Sequence, residues 1–312
     1  MEFDLSSPLI CLGTWGWDKH FWPDFCFIEA KESLLFAIRN GVSLIDTAPA
    51  YGDGEVEKYL GEIIQEYSLE SKVNIATKVT PKVYLDGTSN FATAQNAYPG
   101  DYIRQSLDSS LRRLNVESVQ YLQLHAWDPG WIGEGDWEQT LNDLKSEGKI
   151  RFWGVSLFDY QASTGIPLAE KTTCDCIQVQ FNLFDQSAKN QLFDICRKNN
   201  ITLIARAVFQ HGDLTDSILK KVSKLTDDEI RLNPFKAAEL IRTRQALVDI
   251  LKVNPSISTI EEFAIRFVVS YLPVNYVCIG CRVKDHMAAN ISYLKKGPLS
   301  KQELSLLSSS EV

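Results

Sequence analysis

No run of lysines and arginines offsets the formal net charge of −8 in this chain. A surface of that sign repels the phosphate backbone, so binding to nucleic acid is not expected. Nor does any apolar stretch approach the ~20 residues of a membrane-spanning helix. The opening MEFDLSSPLI lacks a basic segment followed by an apolar signal core. These absences argue against membrane insertion and predict a cytoplasmic protein. No GxGxxG follows the first apolar run, and neither GxxxxGKS nor GxxxxGKT occurs, so a Rossmann domain and a phosphate-cradling loop are both without support. The seven cysteines are an odd number in a chain without a signal segment, which predicts reduced thiols rather than a disulfide framework.

What is present is a repeated pattern. Within 312 residues, 45% of them apolar, strand-like runs recur: LICLGTWG, VSLIDTA, VNIATKV, VQYLQLHA, RFWGVSLF, IQVQFNL, ITLIARAV and YVCIGCR. Helical patterns such as EAKESLLFAIRNG and YIRQSLDSSLRRL lie between them. Nearly continuous apolar strands alternating with helices imply a parallel sheet covered on both faces. About eight such units favour a closed (β/α)8 TIM barrel over an open sheet, with residues 1–312 forming one domain. Loop insertions are expected at about 81–100 and 210–236. Both follow strands, and both would overhang the C-terminal face, where barrel active sites lie. The close, KKGPLSKQELSLLSSSEV, reads as a short helix and a frayed Ser-rich end. The CDC at Cys174–Cys176 and the CIGC at Cys278–Cys281 fall towards opposite ends of such a barrel, so packing is expected and a metal site is not.

Ionisable residues close three consecutive strands: Asp46 in LIDTA, Lys78 in IATKV and His125 in LQLHA, with Tyr51 in the loop after Asp46. Taken singly, each has a structural reading. Asp46 can cap a turn, Tyr51 can be a half-buried loop aromatic, Lys78 can snorkel to solvent, and His125 can be a satisfied core histidine. A lysine inside an apolar strand needs an anion, however, and Asp46 on the neighbouring strand is the available one. Four such groups at one end of adjacent strands point to a functional constellation.

The stretches DTAPAYGDGEVEKYLG, IATK, LQLH, GKIRFWGVS and QVQFNLFD together resemble the aldo-keto reductases, in the family's order and over almost the whole chain. The resemblance implies a barrel that binds NADP(H) and a catalytic tetrad of Asp46, Tyr51, Lys78 and His125. It further implies that Ser156 and Gln180 hold the nicotinamide carboxamide, with Leu157 standing where the family often has Asn. Arg206 takes the place of an aromatic that stacks on the nicotinamide. IGCRVKDHMAAN resembles the segment that grips the adenosine 2′-phosphate and adenine, which carries Asn290 onto adenine and leaves Arg282 as the phosphate partner. Gly280 and Cys281 stand where some members have Lys and Ser, and His286 stands where many have Arg or Gln. Gly13, Thr14 and Trp15 would approach cofactor and substrate. If several of Trp17, Phe21, Trp22, Trp127 and Trp131 line the mouth, the substrate is bulky or apolar.

The chemistry suits these residue types. Hydride addition to a carbonyl carbon leaves negative charge on oxygen, which a positioned acid must protonate. Tyr51 is the acid. Lys78 is expected to draw its pKa down from ~10, with Asp46 holding the ammonium and His125 orienting the carbonyl oxygen. The expected activity is reduction of an aldehyde or ketone, or the reverse oxidation. The rivals are a nicotinamide-sensing regulatory subunit without turnover and a non-redox lyase or isomerase that uses Tyr51 and Lys78 for proton abstraction.

Overall fold

Each apolar run forms one strand: β1 Leu9–Gly13, β2 Leu44–Asp46, β3 Asn74–Val79, β4 Val119–Leu124, β5 Ile150–Ser156, β6 Cys176–Gln180, β7 Thr202–Arg206 and β8 Val274–Gly280. In the computed structural model, residues 9–83, 92–217, 257–271 and 273–304 are described, together with a few positions between 241 and 252. All the strands pair in parallel and in chain order, and β8 closes on β1 with Leu9 opposite Tyr276 and Gly13 opposite Gly280. The chain is thus the expected (β/α)8 barrel.

Period-2 alternation sorts the strand residues into two layers of environment. One set, including Cys11, Leu44, Ala76, Tyr121 and Cys176, fills the barrel interior. The set between them, including Leu12, Ile45, Ile75, Leu122 and Ile177, faces the helices and belongs to the main core. Two residues further along the inward face, the apolar layer gives way to polar residues at the C-terminal ends. Leu44 is followed by Asp46, Ala76 by Lys78, and Cys176 by Gln178. That change of layer is what places charge at one end of an apolar barrel.

Helices α1 (Phe27–Arg39), α2 (Glu55–Tyr67), α3 (Gly100–Leu114), α4 (Trp137–Ser146), α5 (Ile166–Lys171), α6 (Leu192–Lys198), α7 (Ile260–Val269) and α8 (Lys284–Lys295) lie on the outside. They bury an apolar stripe: α2, for example, buries Val56, Leu60, Ile63 and Ile64 at helical spacing. On its buried face α2 also carries Glu57, whose carboxylate takes the Arg113 guanidinium of α3 at 2.6 Å and the Thr77 hydroxyl of β3 at 2.6 Å. This tie braces β3 from behind, next to Lys78 on its inner face. In β5, Gly154 lies opposite Cys176 of β6, and a Cβ there would collide with the Cys176 carbonyl oxygen. Glycine therefore allows β5 and β6 to close just below Ser156 and Gln178.

Of the expected insertions, residues 92–100 are described and include a helical turn at Ala94–Ala97, while 84–91 lie outside the described residues. In the second, 210–217 are described and 218–236 are not. The expected C-terminal helix is seen at 301–304, and residues 305–312 lie outside the described set. Among the described residues, no helix is long and apolar enough to cross a membrane, and no cluster of potential metal ligands is found. The Trp17, Trp127 and Trp131 rings are buried in the core rather than lining the mouth. Of the aromatic residues that bear on substrate size, Trp15 and Trp22 line the cavity, and Phe21 packs on Trp15 with ring centroids 5.7 Å apart.

Candidate active site

A cavity of about 1500 Å3 opens at the C-terminal ends of the strands, and Asp46, Tyr51 and His125 form part of its wall. Lys78 lies behind that wall, 1% exposed. Its ammonium donates to Asp46 Oδ1 at 2.7 Å, to the Thr47 carbonyl at 2.9 Å and to the Tyr51 hydroxyl at 3.4 Å. Three acceptors match the three donors of an ammonium, so burial leaves none of its protons unpaired. Burial alone would push the Lys78 pKa down, but Asp46 and its hydrogen bond, together with the neighbouring Tyr51 and Cys278, outweigh it and the net shift is upward. Lys78 is therefore a permanent cation.

Tyr51 opens a tight turn, Tyr51–Gly54, in which Gly52, Asp53 and Gly54 all have positive φ. Such a run is cheapest with glycine at two of the three positions, which accounts for GDG directly after the tyrosine. The turn directs the phenol back towards Lys78. Burial pushes the Tyr51 pKa up, Lys78 pulls it down, and the net result is upward. This corrects the expectation from the sequence: desolvation of a phenolate outweighs the neighbouring cation, and Tyr51 holds its proton firmly.

His125 follows β4, and its ring meets the Tyr51 ring edge-on, with centroids 5.9 Å apart. Burial, then Lys78, then Arg206 hold its pKa well below the usual range, so the imidazole is neutral at neutral pH. Its Nδ1 is buried and has no hydrogen-bond partner within the protein. The depressed pKa has a consequence for stability. Below ~6.5 the unfolded chain takes up a proton that the folded chain refuses, so unfolding free energy falls as pH drops through that value. The loss is at most ~1.4 kcal/mol per pH unit. In urea melts at a series of pH values, His125→Gln should flatten this slope; an unchanged slope would mean that His125 is charged in the folded protein.

The glutamine expected in the site is not the one that reaches it. Gln180 donates through Nε2 to Gln210 Oε1 at 3.0 Å and does not line the cavity. Gln178, two residues earlier on the same face of β6, does line it. Gln178 Nε2 donates to Asp46 Oδ2 at 2.8 Å, and its Oε1 accepts from Ser156 Oγ at 3.2 Å. A continuous chain therefore runs from Ser156 through Gln178 and Asp46 to Lys78 and Tyr51. The two glutamines of IQVQF share a face, and the sequence offers no further signal for choosing between them.

The remaining expected residues divide similarly. Gly13, Trp15, Arg206, Gly280, His286 and Asn290 all border the cavity. Thr14 is fully buried: its backbone N and its hydroxyl both donate to the Asp46 carbonyl, at 2.9 and 3.0 Å, which pins β1 to β2. Arg206 donates to Asp159 Oδ1 and to the Leu157 carbonyl, both at 2.5 Å. Asp159 in turn meets His211 Nε2 at 3.4 Å, and the His211 bond together with Arg206 holds the Asp159 carboxyl down at about 2. Arg282 borders the cavity but already has partners. Its Nη1 donates to Asp24 Oδ1 at 2.7 Å, and its guanidinium lies 4.9 Å from the centre of the Trp22 ring. Neither Asp159 nor Asp24 was picked out in the sequence, because each meets its arginine only across the folded mouth.

Comparison with known proteins bears on the family and the fold. The model of the Aldo/keto reductase family matches residues 9–311. Aldo-keto reductase YhdN of Bacillus subtilis is 31% identical over a stretch covering 72% of this chain and 65% of that protein. The NADH-specific methylglyoxal reductase of Escherichia coli is 27% identical over 70% of this chain and 68% of its own length. Among solved structures, an aldo-keto reductase from Klebsiella pneumoniae in complex with NADPH superposes with a TM-score of 0.67 at 22% identity, covering 97% of this chain and 90% of that one. A family model that spans nearly the whole chain, on a closed eight-stranded barrel, places this protein in the aldo/keto reductase family of oxidoreductases.

Proposed function

We propose that this chain reduces an aldehyde or ketone to an alcohol with NADPH, or runs the reverse oxidation, using Tyr51 as the general acid or base. The observation that carries the reading is the hydrogen-bonded chain Ser156–Gln178–Asp46–Lys78–Tyr51 at the base of the cavity. It joins amide- and hydroxyl-bearing groups suited to a carboxamide to a phenol held against a buried cation. The site also fits a dinucleotide on its own terms. The cavity runs from Gly13 and Gly280 to Asn290, and the orphaned His125 Nδ1 is a buried polar atom that a bound oxygen would satisfy.

When bound, a reduced nicotinamide supplies the hydride. Ser156 and Gln178 would hold its carboxamide, and Asn290 would meet the adenine. Tyr51 delivers its proton to the substrate oxygen, His125 in its neutral form donates a hydrogen bond to that same oxygen, and Lys78 stabilises the phenolate left behind. Asp46 keeps Lys78 in place and, through Gln178, ties the carboxamide site to the proton donor. Arg206, fixed by Asp159 and the Leu157 carbonyl, would present its guanidinium plane to the nicotinamide. His286 and Arg282, both in the cavity wall, would meet the 2′-phosphate.

The deciding assay follows nicotinamide absorbance against a panel of aldehydes and ketones that includes α-oxoaldehydes such as methylglyoxal, with product identification. Turnover with stoichiometric nicotinamide oxidation supports the reading. Product without nicotinamide consumption would favour a lyase or isomerase, and cofactor binding with no turnover on any carbonyl would favour a regulatory subunit.

One observation favours NADH as a second cofactor reading: Arg282 is already paired with Asp24. To read a 2′-phosphate it must exchange that partner for the phosphate dianion, which it would meet through two charge-assisted hydrogen bonds. Arg282→Ala should weaken NADPH by roughly ten- to a hundredfold with little effect on NADH. Asp24→Asn, which releases the guanidinium, should tighten NADPH. Dissociation constants from tryptophan quenching test both, and an Arg282→Ala loss shared equally by the two cofactors would remove Arg282 from phosphate recognition.

A further inference from the structure

Three cysteines point into the barrel, and two of them, Cys11 on β1 and Cys278 on β8, are direct partners in the strand register. Paired strands run ~4.8 Å apart, which falls within the ~4.4–6.8 Å Cα separation that a disulfide spans. As register partners on the inward face of adjacent strands, the two side chains project into the barrel side by side. Both thiols are reduced in the structure.

Their surroundings differ. Cys11 is fully buried, whereas Cys278 is half-buried and forms part of the cavity wall. The Cys278 sulfur sits against Gly13, where an added Cβ would come within 3.1 Å of it. Cys278 shares the cavity wall with Tyr51. Among the described residues no other cysteine combines a facing thiol with access to the cavity. Cys174, Cys176 and Cys196 are buried, Cys281 is buried against Ser33 and the Val283 carbonyl, and Cys26 lies on the outer surface.

We infer that Cys278 and Cys11 form an oxidant-sensitive dithiol at the floor of the cavity, which a peroxide converts to a disulfide. In the first step the Cys278 sulfur attacks the peroxide, the O–O bond breaks, and the products are a sulfenic acid on Cys278 and an alcohol or water. In the second, the Cys11 sulfur displaces the sulfenic hydroxyl, which leaves as water with the Cys11 proton, and the S–S bond forms. Two electrons pass from the two thiols to one peroxide, and no other reactant is needed. Burial pushes the Cys11 pKa well up, with Cys278 and Asp46 adding to it, so Cys11 stays protonated and Cys278 meets the oxidant first. Closure draws the Cys278 sulfur off the Gly13 edge and cross-links two strands whose next inward residues, Gly13 and Gly280, border the cavity. Thiol state and cavity shape are thereby coupled.

The test uses the full chain carrying Cys26→Ser, treated with hydrogen peroxide, denatured, alkylated with iodoacetamide and mapped by peptide mass. The expected result is a Cys11–Cys278 linked peptide lighter by two hydrogens, reversed by dithiothreitol. It should form at least ~10-fold faster than any oxidation of Cys174 or Cys196. With Cys11→Ser added, Cys278 should stop at the sulfenic acid and be captured by dimedone. With Cys278→Ser added, Cys11 should remain fully alkylated. The inference is overturned if Cys278 stays reduced at peroxide doses that oxidise Cys26 in the parent chain, or if Cys278 proceeds to the sulfinic acid while Cys11 remains free.

Discussion

Tyr51→Phe lowers turnover of any carbonyl substrate by ~100-fold or more while leaving cofactor affinity nearly unchanged, because it removes the proposed proton donor and keeps the ring. The phenol sits 3.4 Å from the Lys78 ammonium and edge-on to His125. Asp46 is committed to Lys78 and Gln178, and His125 is held neutral with a pKa well below the usual range. Because burial holds the Tyr51 pKa above its ordinary value of ~10, the acid form persists through neutrality, and the rate of reduction should stay level up to about pH 9. Oxidation of the alcohol needs the phenolate and should instead rise with pH over the same interval. Stopped-flow turnover and fluorescence titration of the cofactor measure the two halves separately. Near-normal turnover in Tyr51→Phe would dismiss the tyrosine as the acid.

Lys78→Met is expected to damage both activity and folding. The thioether has similar length and fits the apolar strand, but it strands the Asp46 carboxylate, only 4% exposed, with Gln178 as its remaining side-chain donor. Removing one member of a buried ion pair costs ~3 kcal/mol or more, since the partner keeps its desolvation without its counter-charge. The effect on chemistry comes from the phenol. Without the cation, burial acts on Tyr51 unopposed and its pKa moves still higher, making it a weaker acid and a less accessible base. Asp46→Asn combined with Lys78→Met should cost less than the sum of the single changes, because the double variant leaves no buried lone charge. The expected coupling lies in the ~0.5–3 kcal/mol range of contacting residues. Urea unfolding of the four proteins measures it, and strict additivity would contradict the 2.7 Å contact.

The sequence was most informative where local rules operate. Nearly continuous apolar runs, broken by glycine and polar residues and separated by helical patterns, locate every strand of the barrel, and the order of strands and helices leaves parallel closure as the economical topology. Alternation carries Asp46, Lys78 and His125 to one end: Asp46 and Lys78 stand one inward step beyond Leu44 and Ala76, and His125 stands two steps beyond Tyr121, with the buried Gln123 between. A lysine in such a strand requires an anion, so the Asp46–Lys78 pair was also legible in the residue types alone.

What lay beyond local pattern is of a different kind. Gln178 and Gln180 share a face of β6, and the stagger of the closed sheet determines that one joins Asp46 while the other turns to Gln210. Whether a tyrosine beside a lysine is a stronger or weaker acid depends on how much water the fold removes, and here desolvation wins. Trp127 and Trp131 look like rim aromatics by sequence position, yet they are core: Trp127 packs on Trp137 and donates to the Thr164 carbonyl, while Trp131 packs on Tyr98 and donates to the Ala92 carbonyl. Arg282 and Asp24 are separated by 258 positions, and Cys278 faces Cys11 only because the eighth strand returns to the first. Charge pairing and thiol pairing at such separations follow from closure of the barrel, a property of all the strands together that no single segment encodes.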